Sequence, residues 1–179
     1  MTQESKFATA RWPLTLAAAA ILGSLALACM MPFVALATLA AAIMGRAQAV
    51  VTVGGIWAVN QLLGFGMFGY PHDAYALGWG AALGAASLAA LFVARRFAAG
   101  SQLLSLRTLA AFGTAFVAYE ALLFGYALFA GGTGTFTPAI IFQIFANDAM
   151  WLVGLGLLHA ILQRSVPGLF GPAPQLRPR

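Results

Sequence analysis

The chain has 179 residues, of which 62% are hydrophobic and 7% charged, with a mean hydropathy of +0.91. A soluble domain carries roughly 25% charged residues, so no soluble fold of this size hides so much apolar surface, and the chain belongs in a bilayer. The net charge of +5 and pI near 10.2 do not mark a nucleic-acid binder, because the basic residues stand singly between apolar runs instead of forming a stripe.

Lys6 and Arg11 lead into a first apolar run at 13 to 30. Its end, Ala26-Leu27-Ala28-Cys29, loosely resembles a lipoprotein cleavage site, yet the residues that follow are again hydrocarbon-like, so an uncleaved first helix is expected. Pro32 breaks the run, and residues 33 to 45 fit a short second helix that stops at Gly45 and Arg46. Runs at 47 to 68, 76 to 94, 108 to 130 and 139 to 163 each approach the roughly 20 residues needed to cross about 30 Å of hydrocarbon. The expected fold is an all-α membrane protein with six transmembrane helices over 13–164, a cytoplasmic N-terminus over 1–12 and a disordered, proline-rich cytoplasmic tail over 165–179.

Charge placement orients the spans. With six crossings, Lys6, Arg11, Arg46, Arg95, Arg96, Arg107, Arg164, Arg177 and Arg179 all fall on the cytoplasmic side. Five crossings, with 13 to 45 as one kinked helix, would strand Arg46 opposite Lys6 and Arg11. A bacterial-type cytoplasmic membrane with both termini inside follows as the expected location. The single cysteine permits no intrachain disulfide and no cysteine-based metal cluster, and no cofactor is expected.

Against this apolar background two acids stand out: Glu120 and Asp148 lie deep inside predicted spans, and the only other acids are Glu4 and Asp73. An ionised side chain at the bilayer centre costs about 2.5 to 3.5 kcal/mol, so such acids usually face a cavity, a partner or a transported species. No Lys or Arg lies within the spans to pair them; each holds a proton or meets a cation that arrives from outside. Counting about 1.5 Å per residue from the outer ends puts Asn60, Asp148 and Glu120 roughly 12, 13 and 15 Å deep. Trp57, Asn60, Gln61 and Gly64 recur at helical spacing on the third helix, and Gln143, Asn147 and Trp151 on the sixth, with Asp148 beside them. Tyr119 flanks Glu120, and Tyr126 follows one to two turns nearer the outside. If these faces converge, they enclose an outward-opening pocket with aromatic walls, amides and two acids. The plainer alternative is helix glue, since amides join transmembrane helices by hydrogen bonds of about 0.6 kcal/mol and aromatics anchor at interfaces.

Several other patterns carry less. Gly64-Phe65-Gly66-Met67-Phe68-Gly69 spells a dinucleotide fingerprint but has no preceding strand, so its glycines are read as fraying a helix end. Gly80 and Gly84, with Ala81, Ala85 and Ala89, make a small-residue face for helix packing. His72 and Asp73 offer two groups of an incomplete metal site or a solvated turn at the pocket mouth. His159 reads as an interfacial histidine. No nucleophile elbow and no zinc-protease signature is present, so an enzyme is not expected.

Six short spans, the proline break before a short second helix, Met44-Gly45-Arg46 at an inner turn, and a Gly/Ala-rich fourth helix after the outer Gly69-Tyr70-Pro71 turn together resemble the substrate-binding S-components of energy-coupling-factor (ECF) vitamin transporters. The likeness is carried by residues 31 to 96. It implies a six-helix bundle whose outer half holds one small ligand and whose inner half docks on a transmembrane coupling subunit with ATPases. Ala19 and Gly23 are the positions most similar to the small residues that meet that subunit. The chain lacks the Met-x-His start of nickel and cobalt members, which points away from those substrates. The acids favour a cationic or protonatable ligand such as a thiamine-like or pyrimidine-precursor vitamin, and Trp57, Trp79 and Trp151 would stack on a ring or face a cation. Two other roles remain open: a structural subunit of a membrane complex, or a solitary proton-coupled carrier.

Overall fold

The computed structural model describes residues 13–18, 31–103 and 105–166. Residues 13–18 are helical and are called α1. There follow α2 (Phe33–Ile43), α3 (Arg46–Gly66), α4 (Ala74–Ala98), α5 (Leu106–Ala130) and α6 (Pro138–Ser165), with a single 3-10 turn at Thr133–Thr135. No strand occurs among the described residues. The helices α3 to α6 are long and apolar enough to cross a membrane, and the chain is a multi-pass helical membrane protein. The rest of the predicted first span, with Ala19 and Gly23, lies outside the described residues, as do 1–12 and the tail from 167 onward.

The predicted short second helix forms, but its 11 residues extend only about 16 Å, half the thickness of the hydrocarbon core. It does not sit at the periphery. From Phe33 to Ala42 every residue of α2 is buried, and the helix touches α3, α4, α5 and α6. Thr38 is its one polar side chain, and its alanines allow four neighbours to approach closely.

Around this centre α4 and α5 make the most extensive helix pairing. Their seams repeat at four-residue steps: Ala82, Ala86, Ala90, Ala94 and Ala98 are buried on α4, and Ala111, Ala115, Tyr119, Leu123 and Ala127 on α5. The small-residue face of α4 is thus displaced by one residue from the expected one. Ala81 and Ala85 are exposed, while Gly80 and Gly84 remain buried. α5 and α6 meet chiefly through rings, with Phe145 against Phe112 at 5.3 Å and Phe116 at 5.1 Å between centroids.

The helix ends have local causes. Asp73 caps α4 by accepting from the Ala76 N–H at 2.8 Å, Ser105 caps α5, and Thr137 caps α6 ahead of Pro138. Gly69 at φ +69° turns the chain after α3, and Gly131 and Gly132 at φ +90° and +99° turn it after α5, in a region where side chains are strained. α4 runs four residues beyond its expected end at residue 94. Arg95 and Arg96 suit a helix C-terminus, and the Arg95 Nη1 donates to the Met44 carbonyl at 2.9 Å. At the same end the Gly100 N–H donates to the Ala42 carbonyl at 3.2 Å, so the close of α4 is tied to the close of α2.

Candidate functional site

A cavity of about 620 Å³ opens at one end of the bundle, within the range of small-molecule sites. Helix polarity locates it. Its wall takes the last turns of α3 (Asn60, Gln61, Gly64, Phe65), the first turns of α4 (Tyr75, Trp79, Gly80), the second half of α5 (Tyr119, Glu120, Leu123) and the first turns of α6 (Ile140, Ile144, Asn147). Tyr70 and Pro71 from the α3–α4 loop and Phe136 from the α5–α6 loop complete the mouth, and Met31 and Phe33 beside the start of α2 form the floor. Arg46, Arg95, Arg96, Arg107 and Arg164 lie at the opposite helix ends.

Among the described residues Glu120 is the only carboxyl in the wall, and no Lys, Arg or His side chain lines it. Its Oε1 is buried without a hydrogen-bond partner among the described residues, and so is the Trp79 Nε1. A buried polar group left unmet costs about 1 to 3 kcal/mol; these two atoms are buried, although the side chains that carry them line the cavity. Trp79 stands edge-on to Tyr126 at 5.1 Å and to Tyr75 at 6.4 Å, an arrangement that holds its indole upright in the wall.

The sequence-derived site residues divide into two groups. Asn60, Gln61, Tyr119, Glu120 and Asn147 all line this one cavity. Gln61 Nε2 donates to Asn60 Oδ1 at 3.2 Å, so the two amides present a joined polar strip. Trp57, Gln143, Asp148 and Trp151 do not line it.

Trp57 is turned to α4, where its indole N–H donates to the Gly80 carbonyl at 2.8 Å and its ring rests on Gly84. It joins helices. Gln143 is exposed on α6, and Trp151 packs, half-buried, against the apolar core.

Asp148 is the largest departure from expectation. It is 2% exposed, and its Oδ1 accepts from the Ala35 N–H in the first turn of α2 at 2.8 Å. The N-cap position of that helix is Pro32, which supplies no side-chain acceptor, so α2 receives its cap from α6. The hydrogen bond of this acid is to backbone N–H.

The glycines of α4 explain how bulky neighbours fit. A Cβ at Gly80 would collide with the Gln61 side-chain oxygen, one at Gly84 with the Trp57 ring, and one at Gly78 with the Tyr126 hydroxyl. Gly64 on α3 serves the same purpose for Tyr70. At the mouth the His72 ring packs on Phe65 at 5.5 Å, and Asp73 is used as a helix cap. No group of three metal-ligating side chains occurs among the described residues.

Sequence reasoning named Trp79 as a stacking residue without placing it in the site, and omitted Phe33, Phe65, Tyr75 and Phe136. The position of Phe65, Tyr75 and Phe136 beside the Gly66 to Pro71 and Gly131 to Pro138 turns was the available signal; Phe33, after Pro32, lies near neither. Comparison with protein-family models, with curated proteins and with solved structures finds no match.

Proposed function

We propose that this chain is the substrate-binding membrane subunit of a small-molecule uptake system, with its ligand held in the cavity around Glu120. The observation that carries the reading is the polarity of the bundle: the cavity opens at the helix ends opposite every described arginine. With arginines on the cytoplasmic side, the cavity opens outward, in the half of the protein where an imported molecule is first met. The residues 13–18 and α2 to α6 are compatible with a six-helix arrangement of the S-component kind, in which α2 is a half-length element within the bundle.

Energy for uptake is supplied by partners in this reading. The described segments between helices are short and contain no nucleotide-binding domain, so a coupling subunit with ATPases is the partner expected on the arginine side. Gly45 and Arg46 are a helix boundary, not a phosphate loop.

Mass spectrometry of small molecules released from gently purified protein tests the binding role. A discrete small molecule should accompany the wild-type chain and be depleted in Glu120→Gln. Absence of any such molecule, together with no energy-dependent uptake in reconstituted vesicles containing candidate partners, would favour a structural subunit, a role to which the Asp148 contact with α2 already lends one observation.

A further inference from the structure

We infer that a groove between α3 and α4 seats one acyl chain of an anionic phospholipid from the leaflet at the arginine end, with Arg46 and Arg96 taking its headgroup. The inference does not depend on what the cavity at the other end holds.

The groove has a volume of about 200 Å³ and an apolar lining, with Val53, Gly54 and Trp57 from α3 facing Ala81, Ala85 and Leu88 from α4. Its small residues leave the space. A Cβ at Gly54 would meet nothing within 4 Å, and Ala81 and Ala85 are exposed, so the slot lies open on the flank of the bundle, where a bilayer supplies hydrocarbon.

Length separates a lipid chain from a transmembrane helix as the occupant. The residues of the lining furthest from the arginines, Trp57 and Ala81, stand beside the 2.8 Å bond from the Trp57 indole N–H to the Gly80 carbonyl, which joins the two helices there. From Trp57 to Arg46 along α3, and from Ala81 to Phe92 along α4, the rise is about 16 Å. That is one leaflet of a hydrocarbon core about 30 Å thick, whereas a packed transmembrane helix would use the whole height.

Charge identifies the headgroup. Leu88, Phe92 and Arg96 follow one another at four-residue steps, so the face of α4 that lines the groove continues to a guanidinium. Arg46, the first residue of α3, holds its guanidinium 5.6 Å from the centroid of the Phe92 ring and thus brings a second cation to the same seam. Both arginines are exposed, and neither is paired with an acid among the described residues. Asp73 is at the opposite end of α4, Glu120 is in the cavity wall and Asp148 caps α2. Arg95, by contrast, is bonded to the Met44 carbonyl. An apolar slot of one leaflet's length that ends in two uncompensated cations complements an amphiphile with a hydrocarbon tail and an anionic head, and basic sites between transmembrane helices select such headgroups. A zwitterionic head would bring its own cation to the same guanidinium groups.

Native mass spectrometry of the full chain, delipidated in mild detergent and titrated with phosphatidylglycerol or phosphatidylcholine of the same acyl chains, tests the assignment. The first phosphatidylglycerol should bind at least about tenfold more tightly than the first phosphatidylcholine. Arg46→Gln combined with Arg96→Gln should abolish that preference, and Arg96→Gln alone, which removes no hydrogen bond among the described residues, should reduce it. Arg107→Gln combined with Arg164→Gln, at the same end but on α5 and α6, should leave it intact. Ala85→Leu fills the slot from an exposed position and should weaken the first-site binding of both lipids without lowering the melting temperature measured free of lipid. Equal binding of the two lipids, or equal losses from the two arginine pairs, overturns the headgroup assignment. Unchanged phosphatidylglycerol affinity in Ala85→Leu overturns the groove as the seat of the chain. Disulfide crosslinking of Ala85→Cys between two chains in membranes, with Cys29 replaced, would give the groove to a second copy and overturn the lipid. None of these readouts involves the cavity, so failure here leaves the uptake reading standing.

Discussion

Asp148 on α6 and Ala35 on α2 are 113 residues apart in sequence and joined by a 2.8 Å hydrogen bond from the Ala35 N–H to the carboxyl Oδ1. The first N–H groups of any helix lack intrahelical partners, and within a bilayer no water is at hand to take them. The bond therefore solves a problem created by Pro32, which stands at the start of α2 without offering a cap.

Asp148→Ala is expected to destabilise the protein by about 1 to 3 kcal/mol, because it leaves a buried N–H unmet. Asp148→Asn retains an acceptor of comparable capping ability and should cost less. Thermal unfolding in detergent distinguishes them; equal melting of Asp148→Ala and wild type would remove the cap from the account.

Glu120→Gln should behave in the opposite way. Its Oε1 has no partner among the described residues, so the melting temperature should hold or rise when the charge is deleted, since an intramembrane charge is a cost to the fold. A melting loss as large as that of Asp148→Ala would mean that Glu120 also serves packing.

Substitution of glycines within the long helices should be sharply position-dependent, as Gly84 on α4, Gly54 on α3 and Gly125 on α5 show. Gly84→Ala pushes a Cβ into the Trp57 indole and should cost about 1 to 3 kcal/mol, with a change in tryptophan emission as the Trp57 bond to Gly80 is strained. Gly54→Ala and Gly125→Ala meet nothing within 4 Å and should melt at or above the wild-type temperature. Similar losses at all three positions would contradict the packing described for α4.

Topology can be checked with cysteines introduced at Ser101 and Thr133 in a background where Cys29 is replaced. Ser101 follows α4 at the arginine end and Thr133 follows α5 at the cavity end. An impermeant reagent applied to intact cells should label position 133 and spare position 101. The reverse pattern would turn the cavity inward.

Much of the fold was readable because the apolar runs are nearly as long as the helices, and their turns carry Gly, Pro and capping residues. The ends of α4 were misjudged for a tertiary reason: Arg95 looks like the end of a span, yet its guanidinium finds the Met44 carbonyl and the helix continues. The site was legible in so far as depth and helical spacing brought Asn60, Gln61, Tyr119, Glu120 and Asn147 to one cavity. The same spacing failed for Trp57 and Asp148. One faces along the helix pair to a glycine carbonyl, and the other answers an unsatisfied turn on a helix far away in sequence; neither partner has a local signature. Glu120 and Asp148 look alike as letters and differ only in what their neighbours already supply.

The central helix is fastened at both tips and smooth along its sides. At the floor of the cavity Asp148 grips its first turn, and beneath the arginines Arg95 and Gly100 hold the Met44 and Ala42 carbonyls at its close. Between those tips the flanks are alanine and aliphatic carbon, with Thr38 the one polar side chain. α2 is thus a strut of about 16 Å, with Phe33 in the cavity wall and its far tip at the arginine end. The cavity end and the arginine end of the protein are thus joined through its centre by one short helix as well as around its rim.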